Sequence, residues 1–136
     1  MNVFGPKSRH ELSSADYQLQ EVAHKVLVIK DHAVIKGHRG QEEQDAAFNS
    51  NPQRSKLKWP HGKHNGIPSK ALDVQTYPRP NTEQKLKEEQ LYLLGLYVGI
   101  ASEMGITLRS GADFDRDGQT TDSTFFDGFH VELVEN

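Results

Sequence analysis

The chain of 136 residues contains no cysteine. That absence removes disulfides, thiol nucleophiles and cysteine-ligated zinc together, so any bound metal must be held by histidine and carboxylate. Long apolar runs are missing too: nothing approaches the roughly 18 apolar residues that a membrane span needs, and the opening MNVFGPKSRHELSS lacks the apolar core of a signal peptide. Nor is there an excess of one charge. Against 19 Asp and Glu stand 16 Lys and Arg, a net charge of -3, which gives no bulk attraction for nucleic acid. Repeats, low-complexity tracts and interdomain linkers are absent as well. A single domain spanning 1–136, monomeric, with neither nucleic acid nor membrane as partner, is the expectation.

What is present is a periodic pattern. Ser13 to Asp16 supply capping residues ahead of Leu19, Val22, Ala23 and Val26, whose spacing predicts an amphipathic helix to about Ile29. Ala33 to Gly37 reads as a short strand that delivers His38-Arg39-Gly40 to its end, and Gln41 to Phe48 as a short helix. Residues 49–70 carry three prolines and two glycines and form a long loop, of the kind that is usually functional inside a compact domain. A strand over Ala71 to Tyr77 follows. Asn81 and Thr82 then cap a long helix whose apolar side carries Leu86, Leu91, Leu94, Tyr97, Val98 and Ala101 and which ends at Gly105. A strand over 106–110, an Asp/Gly-rich loop over 111–125 and a strand from His130 to Val134 complete an α+β pattern: a small, largely antiparallel sheet backed by helices.

The chemistry concentrates near the loops. Hydrolysis at a histidine and carboxylate zinc site needs three protein ligands, an open position and a base near it. His64 lies in the long loop, Asp73 in the strand after it and His130 at the start of the last strand, with Asp127 three residues earlier. Those elements can converge, with Asp127 as the base. Blander readings stand beside this one. Most of the seven histidines, His10, His24, His32 and His38 among them, read as surface or helix residues. Asp127 fits ordinary turn chemistry, and Asp73 could pair with a Lys or Arg, although a carboxylate within an apolar strand requires a strong partner of some kind.

Taken together, several motifs resemble a known family. Gly37-His-Arg39, then Lys63-His-Asn with Pro68-Ser-Lys-Ala-Leu-Asp-Val74 and Tyr77-Pro78, then Leu108-Arg-Ser-Gly-Ala-Asp-Phe-Asp115, then Phe126-Asp-Gly-Phe-His-Val-Glu-Leu133 occur in an order similar to that of the phage endolysin branch of the D-alanyl-D-alanine carboxypeptidase (VanY-like) metallopeptidases, which includes L-alanyl-D-glutamate peptidases. The resemblance runs from about residue 4 to the C-terminus. It implies a hedgehog/DD-peptidase-like fold, zinc held by His64, Asp73 and His130, Asp127 as general base and Arg39 as the residue that holds or polarises substrate. The substrate it implies is the stem peptide of bacterial peptidoglycan. It further implies that the enzyme waits in the host cytoplasm for a holin.

This sequence departs from the family pattern at several points. Eight residues rather than six separate His64 from Asp73, Gly62 stands where relatives carry Ser, and Phe114 where many carry Trp; Ser69 is the candidate to replace the missing serine. Asp113, Asp115, Asp117 and Gly118 open like a calcium loop, with a calcium-responsive loop known here in some relatives, but Thr124 occupies the position of the closing Glu. Trp59 either faces substrate or anchors its loop. A D-Ala-D-Ala carboxypeptidase and a non-catalytic zinc-binding module of the same fold remain the alternatives.

Overall fold

The computed structural model describes residues 1–119 and 127–135. In chain order these form helices α1 (Pro6–Ser13) and α2 (Tyr17–Ile29), strand β1 (His32–Lys36), helix α3 (Gln41–Asn49), a 3-10 turn over Lys63–Asn65, strand β2 (Ala71–Thr76), helix α4 (Glu83–Glu103) and strands β3 (Leu108–Ser110) and β4 (His130–Leu133). The strands make one antiparallel sheet in the order β1-β2-β4-β3. No helix among the described residues is long and apolar enough to cross a membrane.

Local chemistry sets the helix starts. The Asp16 carboxylate accepts from the Gln18 amide and opens α2, and the Thr82 hydroxyl accepts from the Lys85 amide and opens α4. Helix α4 packs on β2, β3 and α2, burying Gln90, Leu93, Leu94, Tyr97 and Ala101. Its inward stripe is thus rotated from the expected one: Leu93 is fully buried, while Leu86, Leu91 and Val98 sit half-buried at the margin. A polar residue accounts for the rotation. Gln90 accepts from the Thr76 amide and donates to the carbonyls of Val74 and Gly128, a satisfied set that makes its burial tolerable.

Helix α1 was not legible in the sequence pattern. Its polar residues carry little amphipathic signal, yet it packs against β1 and fixes its path. The Ser8 hydroxyl accepts from the Val34 amide, the Glu11 carboxylate from the Gly37 amide and the Ser14 hydroxyl from the His38 amide. Gly37 is obligatory there, because a β-carbon would run into the Glu11 carbonyl and the Ser14 hydroxyl. His32, read from the sequence as a surface or helix residue, is buried at the start of β1 instead. Its Nε2 accepts from the Tyr97 hydroxyl at 2.6 Å and its Nδ1 donates to the Lys30 carbonyl at 2.9 Å, with the Phe4 ring edge-on.

The sheet has two unlike faces, as the alternation of side chains along a strand requires. Leu72 and Val74 of β2, Leu108 of β3, and Val131 and Leu133 of β4 join the helices in the hydrophobic core. The interleaved Asp73, Arg109, His130 and Glu132 line a cleft on the other side.

Candidate active site

Register brings the cleft residues into a row. Asp73 on β2 pairs directly with His130 on β4, and Glu132 on β4 pairs with Arg109 on β3. The long loop supplies the remaining member. Its end is tied to the α1–α2 junction by amide hydrogen bonds between Ser69 and Ser14 and between Asp16 and Ser69, and by the Lys70–Asp16 ion pair at 2.8 Å. Nearer its middle, the Arg39 amide donates to the His64 carbonyl at 2.8 Å, and His64 Nδ1 donates to the Gly37 carbonyl at 2.7 Å. The imidazole is thereby turned so that Nε2 faces Asp73, 3.2 Å from one carboxylate oxygen.

The donor atoms of His64, Asp73 and His130 all lie within 4.8 Å of one another. Asp73 Oδ1 is 3.4 Å from His130 Nδ1, and the two imidazole rings meet edge to face at 5.2 Å. Burial by itself would raise the Asp73 pKa. The charges and hydrogen bonds of His64 and His130 outweigh it and hold the carboxyl well below the usual carboxylate range. For His130 burial works downward, but hydrogen bonds to Asp73 and Glu132 prevail and raise the imidazole to about 9. Two imidazole nitrogens and a carboxylate, converging at one end of a cleft, are a donor set that zinc accepts.

Asp127 lines the same cleft. Its carboxylate accepts from the Phe129 amide at 3.1 Å, and its pKa is raised, first by burial and then by repulsion from Asp73. Gly111 fixes the turn that carries it: the Asp127 amide donates to the Gly111 carbonyl at 2.8 Å and the Gly111 amide to the His130 carbonyl at 2.7 Å. A β-carbon at Gly111 would overlap the Asp127 backbone.

Arg39 reaches the cleft from beyond β1. Its guanidinium lies 3.5 Å from Asp73 and donates to the Gln44 side chain at 3.2 Å. Gln44, fully buried on α3, was not singled out in the sequence, although it links Arg39 to Asn65 and donates to Ser55 and to the Leu57 carbonyl. Glu132 and Arg109 were missed as well. The signal for Glu132 was its place two residues beyond His130 on a strand, which puts both side chains on one face.

Other expectations fare differently. Ser69 does not take the place of the serine missing at Gly62: it is fully buried and its hydroxyl donates to the Ala71 carbonyl. Trp59 is half-buried and does not line the cleft, whereas Phe114 lines it, its ring 6.0 Å from that of His130. Thr124 and Phe126 lie outside the described residues. The carboxylates of Asp113, Asp115 and Asp117 do converge, with donor atoms within 4.8 Å. They accept from the backbone amides of Asp117, Gly118 and Gln119, across a turn in which Arg116 and Gly118 have positive φ.

The cleft encloses about 270 Å³ and is lined further by Arg54, Lys56, Leu57 and Lys63. Comparison with known proteins gives the family and the fold. Residues 2–134 match the family described as phage L-alanyl-D-glutamate peptidase. A curated L-alanyl-D-glutamate peptidase of Escherichia phage T5 is 30% identical over 142 residues, covering 96% of this chain and 97% of the relative. The crystal structure of the Serratia marcescens L-Ala D-Glu endopeptidase ChiX superposes with a TM-score of 0.73 at 18% identity, over 98% of this chain and 91% of that one, and so shares the fold.

Proposed function

The chain belongs to the phage L-alanyl-D-glutamate peptidase family, and from that premise we propose that it is a zinc endolysin. It hydrolyses the bond between L-Ala and D-Glu in the stem peptides of bacterial peptidoglycan. His64 through Nε2, Asp73 through its carboxylate and His130 through Nδ1 would hold the zinc. When bound there, zinc supplies a Lewis acid that acidifies water and polarises the scissile carbonyl.

The remaining roles fall to the protein. Asp127 takes the proton from the water whose oxygen attacks the L-Ala carbonyl carbon, then returns it to the D-Glu nitrogen as the C–N bond breaks. Its raised pKa suits a carboxylate that must gain and lose a proton in one cycle. Arg39, steadied by Gln44 and Asp73, offers guanidinium N–H groups to the substrate carbonyl or to a neighbouring carboxylate. In this reading the whole activity resides in one domain that acts as a monomer and waits in the host cytoplasm until a holin admits it to the wall. A calcium ion on Asp113, Asp115 and Asp117 is its second cation.

What chiefly supports this reading is the convergence of three zinc-type donors with Asp127 beside them in the same cleft. The test is mass analysis of purified peptidoglycan digested with zinc-loaded protein, beside a chelated control. Fragments with new D-Glu N-termini that vanish on chelation are the expected product. Release of free D-Ala would instead make the protein a carboxypeptidase, and zinc binding without cleavage would make it a binding module.

A further inference from the structure

Behind His130 the sheet carries a second layer of polar side chains that the proposed mechanism does not use. Glu132 is 4% exposed, yet both carboxylate oxygens are engaged: Oε1 accepts from His130 Nε2 at 2.8 Å and Oε2 from the Arg109 guanidinium at 2.7 Å. A buried carboxylate with fewer partners would be costly. The arrangement follows from register. Residues 130 and 132 share one face of β4, Asp73 stands opposite the first and Arg109 opposite the second, giving the row Arg109, Glu132, His130, Asp73.

The two imidazoles at the cluster are anchored in different ways. His64 gives Nδ1–H to a neutral backbone carbonyl and turns Nε2 toward Asp73. His130 does the reverse, giving Nε2 to a charged carboxylate and turning Nδ1 toward Asp73. Each ring nitrogen of a histidine is set by the bond that the other one makes. Arg109 holds the carboxylate while its own Nε is buried without a hydrogen-bond partner among the described residues, and its guanidinium lies 5.9 Å from the Phe114 ring.

Resting on the reading above, we propose that Glu132, clamped by Arg109, is a positioning residue that commits His130 to present Nδ1 to the cation and thereby sets the affinity of the site. A carboxylate acceptor also makes the imidazole a stronger donor to a metal than a carbonyl does. Glu132 therefore tunes the His130 side of the site more strongly than Gly37 tunes the His64 side.

The experiment measures zinc affinity by competition with a chromogenic chelator, alongside thermal unfolding of the zinc-free and zinc-loaded forms and nitrogen NMR of the His130 ring. Glu132→Gln is expected to weaken zinc binding about 10–100-fold and to shrink the rise in Tm caused by zinc far more than it lowers the zinc-free Tm. Arg109→Met, which leaves the Glu132 carboxylate in place but unclamped, should weaken binding in the same direction by less. Should Glu132→Gln fail to fold, Arg109→Met and the wild-type spectrum carry the test: Nδ1 must be the coordinating nitrogen and Nε2 must keep a slowly exchanging proton. Coordination through Nε2, or zinc affinity within twofold of wild type in the folded variants, overturns the inference. A wild-type protein that binds no zinc overturns the functional reading with it, whereas tight zinc binding indifferent to residue 132 overturns this inference alone.

Discussion

His64, Asp73 and His130 come from a loop and two strands and meet through tertiary structure, whereas Asp113, Asp115 and Asp117 come from one short stretch and meet through a local turn. In the first cluster each imidazole is anchored by its outer nitrogen and Asp73 is locked by strand pairing. In the second, the carboxylates accept backbone amides of their own loop, and Asp115 and Asp117 are exposed. Only the first gathers its charge away from water, where a cation's attraction is least screened. Its donors are also tied to the rest of the fold by hydrogen bonds and strand pairing. The difference teaches that ligand type and spacing alone do not grade a site. What surrounds the donors decides how strongly they hold an ion and whether the fold depends on it.

The largest effect expected from that contrast is at Asp73. Asp73→Ala should abolish zinc retention and reduce hydrolysis to background, checked by metal analysis and a peptidoglycan turbidity assay. Full zinc stoichiometry in this variant would break the comparison at its first member. Next comes Asp127→Asn, expected to keep zinc while losing hydrolysis by about 10²–10⁴-fold, the usual worth of general acid–base catalysis. Equal loss of metal would mean that Asp127 belongs among the ligands.

A third prediction concerns a histidine outside both clusters. Burial lowers the His32 pKa to about 4, so below pH 6.5 the unfolded chain takes up a proton that the folded chain refuses. Stability is therefore complete above that pH and falls as the pH drops toward 4, by about 3 kcal/mol. Urea unfolding across this range should show the slope, and His32→Gln should flatten it. An unchanged slope would assign the acid sensitivity to the ligand clusters. The smallest effect is at the acidic loop: Asp117→Asn should weaken calcium binding by about tenfold, or about 1.4 kcal/mol, with zinc stoichiometry unaltered. Calorimetric titration with calcium checks both parts.

Much of this was legible in the sequence because it depends on local signals. Asp16 and Thr82 announce their helices, the alternation around Leu72, Asp73 and Val74 announces β2, and the order of the His64, Asp73, Asp127 and His130 motifs announces the family. What could not be read depends on contacts between distant segments. Helix α1 has almost no apolar stripe and owes its place to hydrogen bonds with β1. The burial of His32 depends on Tyr97, 65 residues away. Gln44, Gln90 and Glu132 look like surface residues in the sequence and become interior ones because each meets a complete set of partners.

Diffraction from zinc-loaded crystals at the zinc absorption edge tests the central claim most directly. The account predicts one strong anomalous peak bonded to His64 Nε2, the Asp73 carboxylate and His130 Nδ1, with its open side toward Asp127. A principal peak at Asp113, Asp115 and Asp117, or one closed off by a fourth protein ligand, would contradict it.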